Sequence, residues 1–149
     1  DAAQCAKLVQ HLDLLDDWNT RMNLTAIRER PAQITKHILD SLTMVPWLRG
    51  RRVADIGSGA GFPGIPLAIV VPGVHFVLAE LVRNAGGLVA GGGRLLAMKG
   101  RYPTDELAKG FSGWKVVAVH KLHVPGLDEE RHLVELAHSH EKIPLPRPL

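Results

Sequence analysis

The sequence predicts an α/β fold: a sheet opened by a strand, glycine turn and helix, closed by an antiparallel hairpin, with helices ahead of it. Two stretches carry this reading. In Val53-Ala54-Asp55-Ile56-Gly57-Ser58-Gly59-Ala60-Gly61-Phe62-Pro63-Gly64-Ile65-Pro66, a short apolar run holding an acid gives way to three alternate glycines. An apolar run to Val71 follows. That order reads as a strand, a tight turn and a helix start, the corner on which α/β folds build nucleotide sites. Near the other end, the apolar runs 115–124 and 131–137 are joined by Pro125-Gly126-Leu127-Asp128. So short a connection makes them an antiparallel pair.

The glycines permit φ > 0 where the chain reverses, and without a Cβ they let a ligand lie against bare backbone. The following helix start offers free N–H groups to electronegative ligand atoms. Gly59-x-Gly61-x-x-Gly64 also satisfies the dinucleotide fingerprint, but Asp55 argues against that ligand. A carboxylate two residues before the first glycine repels a pyrophosphate and suits a ligand with positive charge, such as the ammonium and sulfonium of S-adenosylmethionine. The next apolar run, 74–79, ends at Glu80, 19 residues beyond Gly61. An acid at that strand end can accept both ribose hydroxyls.

Ahead of the turn, residues 3–22 place Cys5, Leu8, Leu12, Leu15 and Met22 at helical spacing, flanked by Val9 and Trp18. This is an amphipathic helix. Asn23-Leu24-Thr25-Ala26-Ile27 reads as a turn. A second helix runs from about Pro31 to Met44, with Ile34, Ile38, Leu42 and Val45 as its core stripe. A second stripe, His37, Asp40, Ser41 and Met44, reads from spacing as a solvated face or as a polar edge of the ligand pocket, the first being favoured. Beyond Glu80 the pattern gives a strand at 94–98, a short helix at 104–109 capped by Thr104, the hairpin, and a Pro-rich extended tail. Residues 1–46 thus form a helical extension, 47–137 the core and 138–149 the tail.

The chain has 149 residues, 46% of them apolar, enough for one domain with a real core. A net charge of +3 permits an RNA partner without requiring one. The single Cys5 excludes an internal disulfide framework and fits a reducing compartment. No apolar run is long enough to span a membrane, and no export signal is visible. Eight histidines invite a metal reading, but with one cysteine and no compact ligand set none is expected. The protein is expected to be cytoplasmic.

One spacing does not fit. Only 13 Gly- and Ala-rich residues separate Glu80 from Arg94. A glycine-turn methyl-donor fold normally holds two further strand–helix units there. The sequence therefore predicts a segment missing between residues 80 and 92, visible as a break, with a genuine deletion as the alternative.

In chain order, Trp18-Asn19, Asn23-Leu24-Thr25-Ala26-Ile27-Arg28, Lys36-His37-Ile38-Leu39-Asp40-Ser41-Leu42, the run from Gly57 to Ala68, Leu96-Ala97-Met98-Lys99-Gly100 and the run from Val124 to Val134 carry a resemblance. Together they resemble the bacterial guanine-N7 methyltransferases of small-subunit ribosomal RNA, the RsmG (glucose-inhibited division protein B) family, over nearly the whole chain. The resemblance implies a class I, Rossmann-like S-adenosylmethionine-dependent fold. It also implies methyl transfer to N7 of a guanine in 16S rRNA, on free RNA or a small-subunit particle. A monomer is expected. Gly57 and Phe62 match the family's cofactor contacts; Asp55, Ser58, Gly59, Gly61 and Glu80 join them from the reading above. Arg83, with Asn84-Ala85, is either the remnant of the family's Ser-Arg-Ala element or a residue belonging just after Glu80. His37, Asp40 and Ser41 match a motif beside the pocket, which reverses the solvated-face reading. His37, Ser41, Lys99, Arg101 and Arg131 are the substrate-side candidates. A non-catalytic RNA- or nucleotide-binding module and an NAD-dependent oxidoreductase are the alternatives.

Overall fold

The computed structural model describes residues 1–79, 89 and 92–139. Glu80, Arg83 and the predicted break lie outside the described residues, as does the tail beyond Ser139. The chain divides into two compact units, residues 1–83 with 123–128, and 84–122 with 129–149.

The first unit opens with α1 (Ala2–Asn19), whose N-cap is Asp1, accepting from the Gln4 amide at 2.9 Å. Leu12 and Leu15 are buried and, with Ile38, form a core that Leu8, Leu24, Leu42, Ala60 and Phe62 pack against. The predicted stripe is longer than the buried one. Cys5 is exposed, and Met22 lies past the helix end, 54% exposed. Asn19 is the reason the helix stops there. It is buried, its Oδ1 accepts from the amides of Leu24 and Thr25 at 2.9 and 3.1 Å, and its Nδ2 donates to the Thr25 carbonyl. These bonds fold the predicted turn back over the helix end.

The second predicted helix is three pieces in succession: α2 (Arg30–Gln33), a π-helical segment (Ile34–Leu39) and α3 (Asp40–Leu42). A 3₁₀ turn, Val45–Trp47, follows. A π turn holds one residue more than an α turn, so later side chains are swung by about 100° relative to a straight helix. This overturns part of the stripe reading. Ile34 and Val45 are exposed, while Ser41 and Met44 from the supposedly solvated stripe are buried.

A βαβ unit completes this part: β1 (Arg52–Ile56), the glycine turn, α4 (Gly64–Val70) and β2 (His75–Ala79). The strands are parallel, in register from Arg52 opposite His75 to Ile56 opposite Ala79. Gln4 of α1 donates to the carbonyls of Ile69 and Val70 at 3.0 and 3.3 Å, satisfying acceptors at the end of α4. Val77 and Leu78 of β2 are exposed, unusual for parallel strands, which are normally covered on both faces.

The second unit contains β3 (Arg94–Lys99), α5 (Thr104–Lys109), β4 (Trp114–Leu122) and β5 (Arg131–His138). Pro103, not Thr104, occupies the cap position of α5. The predicted hairpin is present, β4 pairing antiparallel to β5. The sheet order is β3-β5-β4, so β3 and β4 run in the same direction with α5 between them in sequence and β5 inserted in reverse. β5 is buried from His132 to Ala137, as a central strand covered on both faces must be. Among the described residues, then, the strands form a parallel pair and a three-stranded antiparallel sheet.

Candidate functional site

The glycine turn is where the expected geometry is most fully present. Gly57, Gly59 and Gly61 take φ of 76°, 51° and 87°, a region that side-chain-bearing residues rarely enter. A Cβ on Gly59 would come no nearer than 4.0 Å to any atom, so open space lies over the turn. A Cβ on Gly61 would strike the Ile65 side chain and reach ordinary contact with His11 Cε1 at 3.5 Å, so α1 lies close over this side of the turn.

Asp55 does more within the fold than its sequence position suggested. Its Oδ2 accepts from the Gly64 amide at 2.9 Å, tying the last residue but one of β1 to the start of α4. That amide is one the sequence reading left for a ligand. Partial burial raises the carboxyl's pKa, and the Gly64 bond pulls it back down. A half-buried acid held beside the glycine turn still suits a cationic ligand, since such a partner offsets the desolvation cost of its ionised form.

Phe62 follows the turn, and its peptide bond to Pro63 is cis. Its ring packs against two imidazoles. His37 stacks on it with centroids 4.6 Å apart and planes at 17°, and His11 tilts on it at 4.9 Å and 48°. The structure thus brings together Phe62, expected on the cofactor side, and His37, expected on the substrate side. His37 is held in turn by Thr25, whose Oγ1 is hydrogen-bonded to its Nε2 at 3.1 Å. Thr25 belongs to the turn that Asn19 organises. Ser41 is 3% exposed and its hydroxyl donates to the His37 carbonyl one turn back.

His11 was not singled out in the sequence. The available signal was its place at i+3 of Leu8 and i−4 of Leu15, on the buried face of α1. Burial lowers the pKa of His11, with His37 nearby adding to the effect. Burial lowers that of His37 too, opposed by Asp40 and by a hydrogen bond to the Lys36 backbone. Both rings are therefore neutral in the folded chain near pH 7. Because the unfolded chain binds these protons more readily, their contribution to stability is full above the ordinary histidine value of 6.5. It is lost as pH falls below that value. Urea midpoints measured from pH 7.5 to 5 should decline, and His11→Phe, which keeps a ring on Phe62 and removes one titration, should flatten the decline. An unchanged slope in that variant would refute the assignment to His11.

The other substrate-side candidates belong to the second unit. Lys99 Nζ is 2.6 Å from Glu106 Oε2, and Arg101 is exposed on the loop after β3. Arg131 bonds Glu129 Oε2 at 3.2 Å and the Glu130 carbonyl at 2.9 Å. His132 Nδ1 donates to the Gly100 carbonyl at 3.0 Å, and Tyr102 meets the His132 ring edge-on. Lys99 and Arg131 therefore lie at one end of the β3–β5 pair, each already in contact with an acid. Among the described residues, no group of three or more His, Cys, Asp or Glu could hold a metal. His120 bonds Glu135 instead. No helix among them is long and apolar enough to cross a membrane.

Comparison with known proteins decides the family. The GidB family model, described as rRNA small subunit methyltransferase G, matches residues 4–85. A protein of Marinobacter nauticus named ribosomal RNA small subunit methyltransferase G is 35% identical over 92% of this chain and 87% of its own length. Proteins of the same name from Xanthomonas oryzae pv. oryzae and Stenotrophomonas maltophilia are each 38% identical over 90% of this chain and 87% of theirs. The chain belongs to the rRNA small subunit methyltransferase G family. Within the methyltransferase G match of residues 4–85 fall the Asn19–Thr25 turn, the His37 segment, the glycine turn and Phe62. Membership supports neither the oxidoreductase nor the non-catalytic alternative. The Marinobacter alignment runs over 187 residues, whereas 92% of 149 is about 137. Roughly 50 positions of that methyltransferase G relative therefore have no counterpart in this chain.

Proposed function

We propose that this chain transfers a methyl group from S-adenosylmethionine to N7 of a guanine in small-subunit (16S) ribosomal RNA. The observation that supports this most is the left-handed glycine turn, flanked by half-buried Asp55 and by Phe62 in contact with two histidines, in a member of the methyltransferase G family. S-adenosylmethionine, when bound, supplies an electrophilic methyl on a sulfonium. The open backbone of Gly57, Gly59 and Gly61 would lie against it, with Ser58 beside them. Asp55 would face its positive charge and Phe62 would offer an apolar wall. Guanine N7 carries a lone pair and no proton, so the protein needs no general base. Its work is to hold the base in line with the methyl, within about 3 Å, and to exclude water. In this reading Lys99, Arg101 and Arg131 meet RNA, and Lys99 and Arg131 give up part of their present ion pairing. The target base reaches the site by unstacking. A reaction on ribosomal RNA places the protein in the cytoplasm.

The finer fold reading is a class I, Rossmann-like sheet. The parallel β1–β2 crossover and the reversed insertion of β5 between co-directional β3 and β4 support it. The roughly 50 unmatched positions are about the size of two strand–helix units, given that a βαβ unit takes about 30 residues. We place their absence between residues 80 and 92, where the family match ends and the spacing is too short.

The test is incubation with methyl-labelled S-adenosylmethionine and small-subunit particles or RNA lacking the modification. The expected product is label at one guanine, where borohydride reduction and aniline then cut the strand, as they do at 7-methylguanosine. Binding of S-adenosylhomocysteine without any incorporation would leave a non-catalytic binding module instead.

A further inference from the structure

We propose that His11 is a positioning residue for methyl-donor binding: with His37 it clamps the Phe62 ring, so that the N-terminal helix sets donor affinity. This rests on the reading that Phe62 contacts the donor. Four observations carry it. First, two imidazoles pack on the Phe62 ring, His37 stacked at 4.6 Å and His11 tilted at 4.9 Å. Contact with both rings limits how far Phe62 can tilt. Second, the His37 side of the clamp is fixed independently, through Thr25 at 3.1 Å and through Asn19, which bonds both the amide and the carbonyl of Thr25.

Third, α1 is anchored along α4 at two points seven residues apart. Gln4 bonds the carbonyls at the C-terminal end of α4, and His11 lies against the glycine turn at the N-terminal end, close to Gly61. Seven residues are about two helical turns, which puts both side chains on the same side of α1. The helix is therefore seated so that His11 falls on the Phe62 ring. Fourth, His11 Nε2 is buried with no hydrogen-bond partner among the described residues. A buried ring nitrogen without a partner costs stability, so this side of the ring contributes shape and not a bond. Loss of the shape should loosen Phe62, whereas loss of the nitrogen should not.

The experiment uses the full chain and S-adenosylhomocysteine, titrated by calorimetry, with donor and RNA kinetics measured in parallel. His11→Ala should weaken S-adenosylhomocysteine binding about 3- to 10-fold, the scale of one aromatic contact, and raise the KM for the donor similarly. The KM for RNA should stay within about 2-fold. His11→Phe should restore affinity to within about 2-fold of the parent. Leu8→Ala, which thins the neighbouring core, serves as the control: it should lower stability and leave donor affinity unchanged. Equal weakening in His11→Ala and Leu8→Ala, or failure of His11→Phe to rescue, would overturn the inference. So would parent-like binding by His11→Ala. If the parent chain itself binds no S-adenosylhomocysteine, the donor reading fails and the clamp's role in donor affinity falls with it, an outcome distinct from the others.

Discussion

Gly64→Ala is expected to lower the stability of the chain by about 2–3 kcal/mol and to weaken donor binding with it. An alanine at the first turn of a helix is ordinarily favourable by up to about 1 kcal/mol, because it restricts the unfolded chain. Here the site reverses that sign. A Cβ on Gly64 would stand 2.7 Å from Asp55 Oδ2 and 3.1 Å from Asp55 Cβ. The carboxylate end could swing aside, but the Cβ is fixed to β1 and cannot. The substitution must therefore break the 2.9 Å bond from the Gly64 amide and push β1 away from α4. Losing a hydrogen bond to a charged group costs about 1.5–3 kcal/mol, and overpacking a further 1–3. Partial exposure of Asp55 puts the result at the lower end of that combined range. A double-mutant cycle with Asp55→Ala isolates the cause: once the acid is gone, Gly64→Ala should cost far less. Asp55→Asn separates the acid's two roles. It keeps an acceptor for Gly64 and removes a charge that burial disfavours, so stability should hold while donor affinity falls. Additive urea midpoints in the cycle would show that Asp55 is not what opposes a side chain at residue 64.

How much of this was legible in the sequence depends on where the deciding force lies. The glycine turn was legible because its cause is local: three residues at positive φ demand glycine whatever surrounds them. The hairpin was legible because its short connection leaves no other pairing. The insertion of β5 between β3 and β4 was not, since nothing in the residues of β5 records its second neighbour. Its unbroken burial from His132 to Ala137 is a consequence of being central, and the polar residues Glu135 and His132 hid it. The second helix failed at Ile34 and Val45 because a 3.6-residue period assumes one regular helix, whereas a π segment begins at Ile34 and Val45 lies past α3 in a 3₁₀ turn. Asp55 was read through its charge alone; its bond to Gly64 depends on a loop folding back across nine residues. His11 shows the opposite case. Its spacing to Leu8, Leu12 and Leu15 placed it on the buried face, but only the fold reveals that Phe62 lies there.

The second large effect concerns that buried acid on β5. Glu135→Ala should cost about 3–5 kcal/mol, the range for breaking a buried ion pair by deleting one partner. Glu135 is 5% exposed on the central strand. Its Oε2 lies 3.2 Å from His120 Nε2 on β4, and its Oε1 lies 3.5 Å from Arg94 Nε on β3. Both partners sit diagonally across the ladder, since Glu135 is opposite Leu96 on one side and Ala118 on the other. One carboxylate thus spans the two strands that β5 separates. Alanine removes the acceptor, leaves a cavity, and keeps two nitrogen-bearing groups in a place with little water. Glu135→Gln should cost less, because the amide oxygen can still accept from one of them. The informative comparison is Glu135→Leu combined with Arg94→Met. A well-packed apolar pair can replace a buried ion pair at little cost, so this double variant should be more stable than Glu135→Ala. If it is instead the least stable of the three by urea unfolding, the charges themselves align β3, β5 and β4. The cluster would then set strand register, and with it the placement of Lys99 and Arg131 at the strand ends. A loss below about 1 kcal/mol for Glu135→Ala would mean that the cluster is solvated and that β5 is held by its leucines and valine alone.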